Sequence, residues 1–113
     1  MRRWTAMALA VGLVAGLGGA ARAQPDLVEI PIAIEKHRFQ PDVVRVKANA
    51  PFVLVVTNND PTPEEFESRE LQVEKIIPGG KTLKIRMRAL KPGTYPFIGE
   101  FHASTAKGRI VAE

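Results

Sequence analysis

The feature that most constrains the fold is an alternation of apolar and polar residues with a period of two, broken every 8–12 residues by Pro, Gly or Asn. The clearest case is "TLKIRMR" at 82–88, where apolar and basic residues alternate. Successive side chains of a strand point to opposite faces of a sheet, so this segment has a core face and a solvent face. The run "FVLVV" is apolar on both faces and predicts a central strand.

Seven strands are predicted from this alternation, and turn residues lie between them. No segment has a helical period, and residues 64–72 or 102–107 have room for only a single helical turn. Seven short strands in one small domain predict an all-β protein, an antiparallel Greek-key β-sandwich or barrel. The predicted strands are residues 27–34, 42–48, 51–58, 71–77, 82–88, 93–99 and 108–112.

The beginning of the chain has the three parts of a secretory signal peptide. "MRRW" supplies positive charge, an apolar run follows, and "ARA" is a small-residue cleavage signal. We therefore expect cleavage after Ala23, which leaves residues 24–113 as a single domain that is exported to the periplasm and does not span the membrane. A retained membrane anchor is less favoured, because the run is rich in Gly and Ala and is short for a full span.

Export also changes the charge of the chain. The full sequence has 16 basic and 12 acidic residues, and three of the arginines lie within 1–23. The mature domain is therefore close to neutral, and its basic residues are spread singly along the strands, which argues against nucleic-acid binding. There is no cysteine, so this exported domain has to fold by packing alone, unless a metal ion contributes.

Two stretches of the sequence, "FQPDVVRVKANAPFVLVVTNND" and "LKPGTYPFIGEFH" with "GRIVAE", resemble the cupredoxin-like family over nearly the whole mature chain. The last hairpin of that family has a strand of the form Tyr-x-Phe-x, followed by Cys-x-x-His and a Met. Tyr95 and Phe97 match the aromatic pair, and His102 matches the histidine. Gly99 stands at the position of the cysteine, and Ala106 stands roughly at that of the methionine.

The resemblance also places Glu64 or Glu65 where the family has its first histidine ligand, and the sequence leaves the choice between the two open. One of the four blue-copper ligands therefore survives. A blue-copper site needs a cysteine thiolate together with two histidines. Simple blue-copper electron transfer is therefore excluded.

Carboxylates near these positions are candidate replacements for the missing ligands. Glu100, two residues before His102, is expected to supply oxygen donors in place of the thiolate. If residue 64 shares a strand face with Phe66, it points toward the core, whereas residues 65 and 67 point to the other face. Imidazole and carboxylate donors suit Fe, Cu(II), Mn or Zn. The candidate metal ligands are His102, Glu100, Glu65, Glu64, Glu67, Glu74 and His37.

Some of these candidates also have plain structural interpretations. The run "EEFESRE" is also typical of a solvated acidic strand edge, which protects a sheet against aggregation. Glu74 fits an exposed charged position in a strand, and His37 fits an exposed histidine in a turn.

The segments "EEFES" and "GEFH" are most similar to one branch of the family, the periplasmic cupredoxin-like subunit of bacterial ferrous-iron uptake through an oxidase-dependent iron permease. This resemblance implies binding of iron, copper or both. It also implies two partners, an inner-membrane iron permease and a second periplasmic metal-binding protein.

Three functions remain open at this point. The first is a metal-binding component of iron uptake, with ferroxidase activity as an option. The second is a copper or iron carrier without redox chemistry. The third is a metal-free interaction module on a cupredoxin scaffold. A hydrolase is not supported, because the chain lacks a Ser/His/acid or Cys/His set of residues. "PGG" at 78–80 is typical of a hairpin turn rather than of a phosphate-binding loop.

Overall fold

The computed structural model describes residues 26–113. The predicted signal peptide, residues 1–23, lies outside this range. Within it the chain forms nine strands and one 3₁₀ turn, Glu100–His102. The strands are β1 Val28–Glu35, β2 Arg38–Gln40, β3 Val43–Val46, β4 Phe52–Asn58, β5 Glu64–Ser68, β6 Val73–Ile77, β7 Thr82–Met87, β8 Gly93–Gly99 and β9 Lys107–Ala112.

The strands form two sheets, which confirms the predicted all-β sandwich. One sheet has the strand order β2-β1-β4-β7 and the other has the order β3-β9-β8-β5-β6. The pairs β1–β4 and β3–β9 are parallel and the other pairs are antiparallel, so both sheets are mixed and not wholly antiparallel as predicted. In this part of the chain no helix is long and apolar enough to cross a membrane.

The structure has two strands that the alternation did not predict. Residues 64–68, where a single helical turn was considered, form β5. Four of its five residues are buried, so the alternation that would have marked a strand is absent. Residues 38–40 lie between the first two predicted strands, where turn residues are expected, but they pair with the end of β1. Three residues are too few to show a period.

The core lies between the two sheets. Its centre contains Phe39, Phe66 and Phe97, and the ring of Phe97 lies 4.9 Å from that of Phe39 and 4.8 Å from that of Phe66, measured between centroids. Met87 is buried at 2% exposure, as its place in an alternating strand predicted. The hydroxyl of Tyr95 donates a hydrogen bond to the carbonyl of Lys91, 2.6 Å away, which anchors the start of β8.

Candidate metal centre

The acidic residues of β5 divide between two faces of the sheet. Glu64 is 1% exposed and lies on the core side with Phe66. Glu65 and Glu67 lie on the opposite face, where Glu67 is paired with Glu74 of β6. Neighbouring residues of one strand therefore contribute to two separate environments.

The carboxylate of Glu64 is fully partnered in its buried position. Its Oε1 accepts hydrogen bonds from the backbone N–H groups of Phe101 and Glu65, both at 2.9 Å. Its Oε2 lies 2.5 Å from Nδ1 of His102. Burial of a carboxylate is costly unless it is hydrogen-bonded, and these three contacts meet that requirement. The strand β5 and the 3₁₀ turn after β8 are thereby joined at the end of the sandwich.

Gly99 makes room for this carboxylate. A Cβ atom at position 99 would lie 2.7 Å from Cδ of Glu64, 2.9 Å from its Oε1 and 2.6 Å from Cβ of Ala106. These distances are shorter than any ordinary van der Waals contact. The carboxylate of Glu64, one of the predicted ligands, therefore occupies the space that a side chain at position 99 would enter.

His37 lies against His102. Their rings are stacked with centroids 3.5 Å apart and planes inclined by 8°. His37 belongs to the two-residue turn between β1 and β2, in which Lys36 and His37 have φ values of 52° and 58°. Left-handed backbone costs a residue with a side chain about 1–2 kcal/mol, so this turn persists because its surroundings hold it.

Asp60 is the main element that holds this turn, and the sequence did not single it out. Its Oδ1 and Oδ2 accept hydrogen bonds from the N–H groups of Lys36 and His37, at 2.8 and 2.9 Å. The bond from the His37 N–H is the largest cause that lowers the pKa of Asp60 below its ordinary value, although burial opposes the shift. The segment "NNDP" is typical of a turn, but nothing local indicates which backbone it binds.

The remaining carboxylates form what we call the acidic face, defined by Glu65, Glu67, Glu74 and Glu100. A hydrogen bond with Glu74, together with burial and repulsion from the other carboxylates, raises the pKa of Glu65. A hydrogen bond with Glu100, burial and repulsion from Glu100 and Glu74 raise that of Glu67, while Arg69 partly opposes the shift. Like charges at close range disfavour ionisation, so Glu65 and Glu67 hold their protons more tightly than isolated glutamates do.

The seven candidate ligands are thus separated into two sets. His37, His102 and Glu64 lie at the core rim, and the four glutamates of the acidic face lie outside. Within residues 26–113, no three of the acidic and histidine side chains already enclose a common metal position. The rim set fits a Cu(II) or iron ion by its donor chemistry, since it offers imidazole nitrogen and carboxylate oxygen. It does not fit blue copper, because the space for a thiolate is filled by Glu64.

Comparison with known proteins agrees with this architecture. The family described as a cupredoxin-like domain matches residues 5–112. The chain belongs to the cupredoxin-like family. A relative within the curated proteins is an uncharacterized protein of Rickettsia prowazekii (strain Madrid E), which is 38% identical over 93 residues and aligns over 82% of this chain and 74% of its own length.

Solved structures of cupredoxin type share the fold at low sequence identity. Auracyanin A, a blue copper protein from Chloroflexus aurantiacus, superposes with a TM-score of 0.65 at 16% identity, covering 76% of this chain and 98% of its own. The metal-binding domain of the Cu(I)-exporting P-type ATPase CopA of Streptococcus pneumoniae D39 superposes with a TM-score of 0.66 at 16% identity. The superposition covers 80% of this chain and 99% of that domain. At such identities the likeness establishes the cupredoxin-like fold alone.

Proposed function

We propose that this protein is a periplasmic metal-binding protein that assists ferrous-iron uptake, with Fe(II) oxidised before it is transported. The observation that carries the proposal is the carboxylate of Glu64, which fills the space beside Gly99 and contacts His102. The fold thus has a nitrogen and oxygen donor set at the end where the family's sulfur ligand is missing.

The chemistry of these donors favours iron oxidation. Hard anionic oxygen ligands suit hard, highly charged cations, so a carboxylate set stabilises Fe(III) relative to Fe(II). Each Fe(II) that becomes Fe(III) gives up one electron, which an acceptor has to take. Cu(II), when bound by the rim histidines, supplies such a one-electron acceptor, and a partner redox protein is the other class of acceptor.

The acidic face has the properties of an entry surface for the iron substrate. Glu67 and Glu100 carry carboxylates that repel one another, and a bound cation would relieve that repulsion. Glu100 begins the same 3₁₀ turn that ends at His102. The acidic face and the rim set are therefore connected by three residues of backbone.

The proposed location and partners rest on the sequence. The export signal pattern at residues 1–23 supports a periplasmic protein. The resemblance of "EEFES" and "GEFH" to iron-uptake subunits supports an inner-membrane iron permease and a second periplasmic metal-binding protein as partners. A copper or iron carrier without redox chemistry is the alternative that shares the same donor set.

Titration of the mature domain, residues 24–113, with Cu(II) and anaerobically with Fe(II) tests the proposal. We expect saturable binding that is weakened by His102→Ala and by Glu64→Gln. In air, Fe(II) should be consumed faster in the presence of the domain loaded with Cu(II) than with Cu(II) alone. Glu70→Gln serves as the matched control, because it removes an acidic residue of the same segment that belongs to neither donor set.

The outcomes separate the three functions. Saturable binding with accelerated loss of Fe(II) supports the proposal, whereas binding without that acceleration supports the carrier. Absence of saturable binding of either metal would leave only the metal-free interaction module. Chromosomal proximity of a gene for a multi-span iron permease would add independent support for the partner.

A further inference from the structure

The turn that carries His37 is held on both sides by side chains outside the rim set. Its N–H groups at Lys36 and His37 donate to the two oxygens of Asp60. The carbonyl of His37 accepts a hydrogen bond from Oγ1 of Thr105 at 2.6 Å. The backbone N–H of Thr105 in turn donates to the carbonyl of His102. His37 is therefore tied to the same loop that presents His102.

Asp60 is itself fixed to the core. Its backbone N–H donates to Oδ1 of Asn58, 3.0 Å away, and Asn58 is fully buried. The amide nitrogen of Asn58 donates to the carbonyls of Thr62 and Ile77 at 2.8 and 3.0 Å. A continuous chain of hydrogen bonds thus runs from the sandwich interior through Asn58 and Asp60 to the backbone of His37.

The turn needs such support because of its sequence. A two-residue hairpin loop with positive φ at both positions is usually formed by Asn-Gly or Asp-Gly, whereas here it is Lys36-His37. Histidine adopts left-handed backbone more readily than most residues, but lysine does not, and neither has the freedom of glycine. The two hydrogen bonds to Asp60 therefore stabilise this conformation over others that would turn the His37 ring away.

We propose that Asp60 is a positioning residue: by fixing the backbone of the Lys36–His37 turn, it keeps the His37 imidazole at the rim against His102, within reach of a metal ion bound there. This inference rests on the proposed function, since it assumes that the rim set binds a metal. Asp60 lies on the backbone side of the turn, and it acts through His37 rather than as a ligand. A histidine whose backbone is already held in place loses less freedom when its ring binds a metal ion.

The first test is a double-mutant cycle on Cu(II) affinity in the mature domain. We expect Asp60→Ala and His37→Ala each to weaken binding by about tenfold, the scale on which groups that orient a ligand act. The double variant should bind no more weakly than His37→Ala alone, because Asp60 has nothing left to position. Losses that multiply in the double variant would overturn the proposal.

The second test needs no metal. In the metal-free domain, the stacked rings of His37 and His102 should show nuclear Overhauser contacts, and these should disappear in Asp60→Ala. The milder Asp60→Asn, which keeps one acceptor oxygen, covers the case in which Asp60→Ala fails to fold, and should weaken the contacts. Asp42→Ala is the control, because within residues 26–113 the Asp42 carboxylate makes no hydrogen bond.

Failure of this inference can be told apart from failure of the proposed function. If the unmodified domain does not bind Cu(II) or Fe(II), the proposed function is wrong, and the ring contacts still decide whether Asp60 positions His37. If the unmodified domain binds but Asp60→Ala binds equally well and keeps the ring contacts, the inference about Asp60 is wrong while the proposed function stands.

Discussion

Glu64 and Glu67 belong to the same short strand, yet their carboxylates are held in opposite ways. Glu64 is buried, and its oxygens accept two backbone N–H groups and contact His102. Glu67 lies on the acidic face, where its hydrogen-bond partner is another carboxylate, Glu100. The rim set is therefore stabilised before any metal binds, whereas the acidic face is under electrostatic repulsion that a cation would remove.

The largest expected loss of stability is that of Glu64→Ala, which tests whether the buried carboxylate is stabilising. Glu64→Ala removes the acceptor of two backbone N–H groups, one of them buried, and leaves a cavity at the rim. We expect the free energy of unfolding to fall by about 2–4 kcal/mol. Urea denaturation followed by circular dichroism measures it, and a loss below about 1 kcal/mol would show that water readily replaces the carboxylate.

Gly99→Ala should have the next largest effect. The new methyl group would overlap with the Glu64 carboxylate and with Ala106, and such overpacking costs about 1–3 kcal/mol. The backbone at Gly99 has φ of −92°, so the cost is steric rather than conformational. Gly80→Ala is the matched control: its Cβ meets nothing within 4 Å, and only its φ of 72° opposes the substitution.

A combined variant sharpens this test. In Gly99→Ala with Glu64→Ala, the carboxylate that obstructs the new methyl group is gone. We expect the two losses of unfolding free energy to be less than additive, because the residues share one space. Additive losses would mean that Ala106, rather than Glu64, sets the limit at position 99.

Substitution on the acidic face should stabilise the protein, in contrast to the substitutions at Glu64 and Gly99. The pKa of Glu67 is raised in the folded protein, so Glu67 keeps its proton at pH values above the ordinary pKa of 4.5. Stability from this group is present below pH 4.5 and is lost as the pH rises through the folded pKa. Glu67→Gln should therefore raise Tm at pH 7 and leave it nearly unchanged near pH 4.

Salt provides the check on that prediction. Added salt screens repulsion between exposed charges, so the gain in Tm from Glu67→Gln should shrink at high ionic strength. Glu70→Gln is the control, since Glu70 lies outside the acidic face. An unchanged or lower Tm for Glu67→Gln at pH 7 would contradict the repulsion between these carboxylates.

The smallest expected change in stability belongs to Glu64→Gln. The amide oxygen can still accept both backbone N–H groups at Oε1, and the amide nitrogen can donate to Nδ1 of His102. We expect a loss below about 1 kcal/mol. Cu(II) affinity should nonetheless fall by more than about tenfold, since removal of groups that only orient a ligand already costs that much.

The alternation of residues predicted most of the fold correctly, and its two omissions have physical reasons. β5 is covered on both faces, so it lacks the period that marks a half-buried strand, and β2 is too short to show one. The sequence left the choice between Glu64 and Glu65 open, and said only that in a strand residue 64 would share a face with Phe66. That local rule could not say which residue Glu64 would contact.

The sequence by itself determined that this is a β-sandwich without disulfides and without a thiolate for blue copper. These conclusions depend on composition and on periods that span a few residues. Only the tertiary structure showed that Glu64 contacts His102, that His37 stacks on the same ring, and that Asp60 holds its turn. Those contacts join residues 23 to 65 positions apart, and strand pairing and packing decide which distant side chain fills the space that Gly99 leaves open.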